Sequence, residues 1–233
     1  MSPDAAPPLA RRWLPARRLL QEIADFAFAS VCTGCGATGV ALCASCEAAL
    51  APCVVSLHHP ATPMCAGLVF DGVAARVLRA VKEDGQTSLL GRLRPALHAA
   101  VAEARSSSAA GRRIDAVVPV PTSRAAFRRR GYRVPELLAR DTVFPMLRAL
   151  APARHLQDQR GLSIDQRRRN LAGGFIATRA GEGTTVLIVD DVITTGATCA
   201  EAARALRAAG FEVAGAVAAT ATPRHRAGHS GSA

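Results

Sequence analysis

Residues 186–198 read VLIVDDVITTGAT, four apolar residues running into two adjacent carboxylates and then into small hydroxyl residues around a glycine. Val186 to Val189 are too uniformly apolar for a half-exposed strand, so the segment predicts a strand buried on both faces, at residues 185–189, with Asp190 and Asp191 at its carboxyl end. Open α/β sheets bind their ligands at that end. The following VITTGAT turns into a helix from about Thr198 to Ala209. A loop bearing Thr194, Thr195, Gly196, Ala197 and Thr198 at a helix start offers backbone N–H groups, hydroxyls and the positive helix pole to one point, which suits a phosphate. Two carboxylates beside such a cradle would repel a bare polyanion, so they suit sugar hydroxyls or, through other ligand oxygens, magnesium. A sugar phosphate satisfies both halves. Helix capping alone would account for one acid and one threonine and leave the rest without a role.

The flanking pattern supplies the rest of the sheet. AGLVFDG at 66–72 reads as a strand and turn, VAARVLRAVK as a helix with Val73, Val77, Leu78 and Val81 on one face, and residues 88–104 as another helix. IDAVVPVP is a buried-type strand, residues from about 135 to 150 a helix, GGFIAT a short strand, and 211–219 the last strand. Strands alternating with helices predict a parallel sheet with helices on both faces. Thr122, Ser123 and Arg124 directly follow the IDAVVPVP strand, with Arg128, Arg129 and Arg130 behind them. Guanidinium groups there could pair with a second phosphate group, although a run of arginines is equally a solvated helix face. Net charge is +11, with arginine far outnumbering lysine. That favours an anionic partner but also fits an arginine-biased surface. Lys82 and Trp13 carry no functional signal of their own.

The cysteines mark a distinct module ahead of this sheet. Cys32 and Cys35, then Cys43 and Cys46, form two C-x-x-C knuckles, the spacing of a tetrahedral four-thiolate zinc site, with Gly34 and Gly36 allowing tight turns. A redox dithiol is the competing reading. Cys53 and Cys65 lack such partners; a second site with His58 or His59 competes with simple burial of lone thiols. Cys199 reads as packing. Residues 1–18 form a basic, proline-rich tail, and Leu19, Leu20, Ile23 and Phe26 predict a short helix leading into the cysteines. The expected division is therefore 1–18 tail, 19–60 helix plus four-cysteine module, 61–222 main domain and 223–233 flexible tail. No segment has the signal-peptide pattern or the ~20 apolar residues of a membrane span, so a cytoplasmic protein is expected.

VLIVDDVITTGAT resembles the phosphoribosyl pyrophosphate (PRPP) motif of type I phosphoribosyltransferases. The resemblance implies a type I phosphoribosyltransferase-like sheet in which Asp190 and Asp191 hold the ribose 2′- and 3′-hydroxyls and residues 194–198 wrap the 5′-phosphate. It also implies PRPP bound with Mg²⁺, its pyrophosphate lying on the side of Thr122, Ser123 and Arg124. FRRRGYR at 127–133, QRGLSIDQRRRN at 159–170 with GGF after it, and the cysteine module together resemble the ComF family. Those proteins join a zinc ribbon to such a domain and are associated with DNA uptake in competent bacteria. Tyr132, Arg133 and Val134 stand where that family usually has Phe, Asn and Gln, and Thr122 and Ser123 where it often has a histidine.

Two functions follow. One is transfer of phosphoribosyl from PRPP to a nitrogen acceptor with pyrophosphate release; no general base for the acceptor is identifiable. The other is a non-catalytic competence or DNA-uptake accessory protein binding single-stranded DNA or a helicase-type partner. Aromatic residues make up only 4% of the chain, so phosphate contacts rather than base stacking would carry DNA affinity.

Overall fold

The computed structural model describes residues 31–57, 59–107, 113–153 and 173–222. The expected tails, the helix at 18–29, His58, most of the SSSAAG loop and the QRGLSIDQRRRN segment lie outside the described residues. Five strands form the main sheet: β1 (Val55–Leu57), β2 (Met64–Val69), β3 (Ala116–Pro119), β6 (Thr185–Ile193) and β7 (Glu212–Ala221). Their order across it is β1-β2-β7-β6-β3. β2, β7, β6 and β3 run parallel, and β1 closes one edge antiparallel. Two more strands, β4 (Leu150–Pro152) and β5 (Phe175–Ala177), pair antiparallel as a separate ribbon.

The short helix α1 (Ala44–Ala48) carries the second cysteine knuckle ahead of the sheet. Both faces of the sheet are covered, which explains its uninterrupted apolar strands. Beneath one face lie α2 (Gly72–Glu83) and α3 (Leu90–Ser106), and α5 (Val134–Ala139) joins them in the same apolar cluster. Cys32, Leu42, Cys46 and Leu50 belong to that cluster too. Val77, Leu78 and Val81 form the buried stripe of α2, at the i, i+1, i+4 spacing its sequence carries. Full burial of each stabilises the fold by about 1.5–3 kcal/mol before entropy is subtracted. The other face holds α6 (Ala197–Ala208) and the β4–β5 ribbon. Glu201 of α6 accepts from the backbone N–H of Phe175 at 3.4 Å and is gripped by Arg204 at 2.7 and 2.8 Å, tying ribbon to helix.

Three boundaries differ from expectation. β6 does not stop at Val189 but continues to Ile193, because Asp190, Val192 and Ile193 keep their partners Ala218, Thr220 and Ala221 on β7. The helix expected to reach residue 150 ends at Ala139. Pro145 cannot donate within a helix, and its carbonyl instead accepts from Val117 N–H at 3.0 Å while Leu147 N–H donates to Val117 O at 2.8 Å. The sheet edge at β3 thereby recruits a segment that local pattern alone assigns to a helix. β3 itself is shorter than IDAVVPVP, spanning four residues.

Candidate functional site

The acid pair occupies the sixth and seventh positions of the nine-residue β6. Asp190 and Asp191 are both buried, and Asp191 N–H donates to Asp190 Oδ1 at 2.8 Å. Desolvation, reinforced by the neighbouring carboxylate, pushes the Asp190 carboxyl up to about 8. Asp191 is held differently. Lys82 Nζ, at the end of α2, donates to its Oδ1 at 2.6 Å, and Thr220 Oγ1 donates to its main-chain oxygen at 3.2 Å. One acid is thus a buried carboxyl with a single main-chain donor and the other is half of an ion pair.

After Ile193 the chain leaves the sheet through exposed Thr194 and Thr195. Gly196 takes a left-handed conformation at φ 77 as the residue before α6. A side chain would be strained at that angle, and its Cβ would fall 2.8 Å from Met64 Sδ. Ala197 N–H donates to Thr195 Oγ1 at 3.3 Å, and Thr198 is half-buried in the first turn of the 12-residue helix.

The second half of the expected site arrives at the same sheet end. β3 pairs with β6 in register Pro119 to Val189, and Val120 N–H donates to Val189 O at 2.9 Å, so Thr122 to Arg124 leave the sheet beside the acid pair's strand. Ser123 is engaged as a helix cap, its Oγ accepting from Ala126 N–H at 3.2 Å, and α4 (Arg124–Arg130) follows. A cavity of about 350 Å³ opens here, with Thr122, Arg124, Arg128, Arg133 and Arg148 in its wall. Arg133 stacks on Phe127 at 4.1 Å, and Arg148 is paired with Glu136 at 2.9 Å. Arg124 and Arg128 have no ion pair or hydrogen bond among the described residues. A larger cavity, about 560 Å³, is lined by His59, Met64, Cys65 and Ala216 among others and by neither acid.

Arg130, grouped with Arg128 and Arg129 in the sequence, is spent on the fold: its Nε donates to Lys82 O at 2.7 Å. Tyr132 Oη donates to the neighbouring Val81 carbonyl. Lys82 is the residue that sequence reasoning missed. It was visible as the single lysine among 29 Lys and Arg residues.

In the cysteine cluster the ligand atoms of Cys32, Cys35, Cys43 and Cys46 all lie within 4.8 Å of one another, and Cys35 and Cys43 Sγ are 3.7 Å apart. Zn–S bonds of ~2.3 Å in a tetrahedron place sulfurs about 3.8 Å apart, so the four thiols fit zinc. Cys43 N–H donates to Cys32 Sγ at 3.3 Å and pulls that thiol down to about 6, toward the thiolate a metal binds. Gly34 is required by packing: a Cβ would lie 2.4 Å from Cys46 Sγ. No second such cluster occurs among the described residues. Cys65 is buried and donates to Ala100 O at 3.3 Å, Cys53 is exposed, and Cys199 is buried in α6.

Residues 152–231 match the family model described as phosphoribosyl transferase domain. Over 106 residues the chain is 38% identical to Competence protein F of Haemophilus influenzae, an alignment covering 42% of this chain and 46% of that protein. The match therefore spans less than half of that relative's length. No helix among the described residues is long and apolar enough to cross a membrane.

Proposed function

We propose that this chain, a ComF-family phosphoribosyltransferase-like protein, binds PRPP at the carboxyl ends of β6 and β3 and transfers its phosphoribosyl group to a nitrogen acceptor, releasing pyrophosphate. The observation that carries the reading is the buried acid pair followed within five residues by a left-handed glycine and the start of α6. In this reading Asp190 and Asp191 accept from the ribose hydroxyls and fix the ring. Thr194, Thr195, Gly196, Ala197 and Thr198 enclose the 5′-phosphate with hydroxyls and N–H groups. Thr122, Ser123 and Arg124 receive the pyrophosphate, Arg124 supplying a guanidinium without a partner among the described residues and Ser123 its backbone, since its hydroxyl caps α4. Mg²⁺ carried on the PRPP oxygens would neutralise leaving-group charge. Holding the ring while charge departs to prearranged donors is sufficient to favour an oxocarbenium-like transition state. The four-cysteine site holds structural zinc, and the domain division is 19–60 for the metal module and 61–222 for the ligand domain, in a cytoplasmic protein.

Pyrophosphate release from PRPP and Mg²⁺ is measured across nucleobases, ammonia and amines. Acceptor-dependent release by the wild type, lost in Asp190→Asn/Asp191→Asn, is the expected result; absence of release with every acceptor removes the transferase. A second reading is favoured by the exposed Arg124, Arg128 and Arg129 of α4 together with the likeness to a competence protein: an accessory role in which single-stranded DNA or a helicase-type partner docks on the arginines. DNA affinity would then fall steeply with salt and be unchanged or slightly raised in the double Asn variant.

A further inference from the structure

The chain contains 28 arginines and one lysine, Lys82. Wherever a cation serves only to charge a surface, this protein uses arginine. The exception lies on Asp191, with its side chain 21% exposed and that of Asp191 8% exposed. An ammonium is a compact point charge that fits where a planar guanidinium fork does not, and it has three N–H donors. Among the described residues Asp191 is its one acceptor, which leaves two donors for a ligand or solvent.

Lys82 is also held in place from outside its own helix. The last carbonyls of a helix have no intrahelical partner. Near the end of α2, Val81 O accepts from Tyr132 Oη and Lys82 O accepts from Arg130 Nε at 2.7 Å. Both donors come from the end of α4 and the turn after it, the element that begins at Arg124. Lys82 is therefore joined to the acid pair through its side chain and to the arginine helix through its main chain. It stands between the two regions that a sugar diphosphate would have to bridge.

We infer that Lys82 is a ligand-binding residue of this site, its ammonium passing from Asp191 to the diphosphate oxygens of the phosphoribosyl donor as the ribose hydroxyls take over Asp191. The inference rests on the reading of the site as a PRPP site. In the bound state each partner of the resting ion pair acquires a new one: Asp191 accepts from hydroxyl, and the ammonium donates to the phosphoryl oxygens. When the C1–O bond breaks, its electron pair leaves on the diphosphate, where the ammonium already lies. Arg130 and Tyr132 are positioning residues that set the reach of Lys82.

The test is calorimetry on full-length, zinc-loaded protein with Mg²⁺, titrating PRPP, inorganic pyrophosphate and ribose 5-phosphate into wild type, Lys82→Met and Lys82→Arg. Loss of a charge-assisted contact weakens PRPP and pyrophosphate by about 10- to 100-fold in Lys82→Met, while ribose 5-phosphate stays within about twofold. Lys82→Arg, which keeps the charge but not the ammonium geometry, shows the same pattern and serves alone if the Met variant does not fold. Equal losses for PRPP and ribose 5-phosphate would make Lys82 only a counter-ion of Asp191 and overturn the inference, as would no change for any ligand. Wild-type protein that binds none of the three overturns the reading of the site itself, and the role of Lys82 with it.

Discussion

A carboxyl group whose pKa is about 8 in the folded protein, against 3.8 for the ordinary side chain, remains protonated across most of the range in which an unfolded chain has lost that proton. For Asp190 the cause is first the loss of water around it and second the charge of Asp191 beside it; the Asp191 N–H and then Lys82 offset this only in part. Between about pH 4 and pH 8 the native state binds one proton more than the unfolded state at this position. Stability must then fall as pH rises through that window, with the contribution fully present below it and gone above it. Asp190→Asn, which cannot ionise, removes this dependence. Thermal melts at pH 5 and pH 8.5 are expected to show a larger drop in Tm for wild type than for the variant. Parallel drops would mean that Asp190 is hydrated and ionised in the native state. The same residue sets stability against binding: in the resting fold the ionising acid has the Asp191 N–H as its donor, and in the proposed complex a ribose hydroxyl would add another.

At the scale of elements, the approach of α3 to the sheet is set by Gly67 in the middle of β2. A Cβ there would lie 1.8 Å from Ala96 O, a main-chain atom that cannot rotate away. Gly67→Ala must push helix and strand apart, a form of overpacking that costs about 3 kcal/mol or more when backbone is the obstacle. For a domain of this size that corresponds to a fall in Tm of about 6 °C or more. A melt within about 2 °C of wild type would show that α3 does not pack this closely. β2, α2 and α6 were readable in the sequence because each carries its own period and punctuation. The acid pair was readable because two adjacent carboxylates at the end of an apolar strand are costly to bury unless they serve a polar ligand. The stretch from residue 135 to 150 was misread for the opposite reason. Its end is decided by Val117 on a strand far away in the chain, and no local pattern records that partner. Lys82 was obscure in the same way: its role depends on Asp191, 109 residues distant, and only the rarity of lysine in this chain hinted at it.

Across the whole molecule, the cysteine module and the sheet domain share packing. Cys32 and Cys46 lie in the cluster that includes Val77, Val81 and Leu93. The module also touches α2 and the turn after it: Arg76 Nε, in the second turn, donates to Gly34 O at 2.6 Å, and Thr33 Oγ1 donates to Gln86 Oε1 at 3.0 Å, just past the helix. Glu47 of α1 pairs with Arg92 of α3. Since Lys82 lies in the last turn of α2, the cysteine module and the acid pair both hold that helix. Zinc in isolated knuckle peptides supplies about 10–16 kcal/mol of apparent folding free energy, so zinc held by these four thiols would fix Gly34 and Thr33, and its removal would loosen the anchoring of α2. Chelation, or Cys46→Ser, is expected to release about one zinc per chain and to lower Tm in one cooperative transition, with weakened PRPP binding at temperatures below it. Two separate transitions, the later one unmoved by chelator and PRPP affinity intact, would show instead that the module is an independent attachment and that α2 holds Lys82 in place without it.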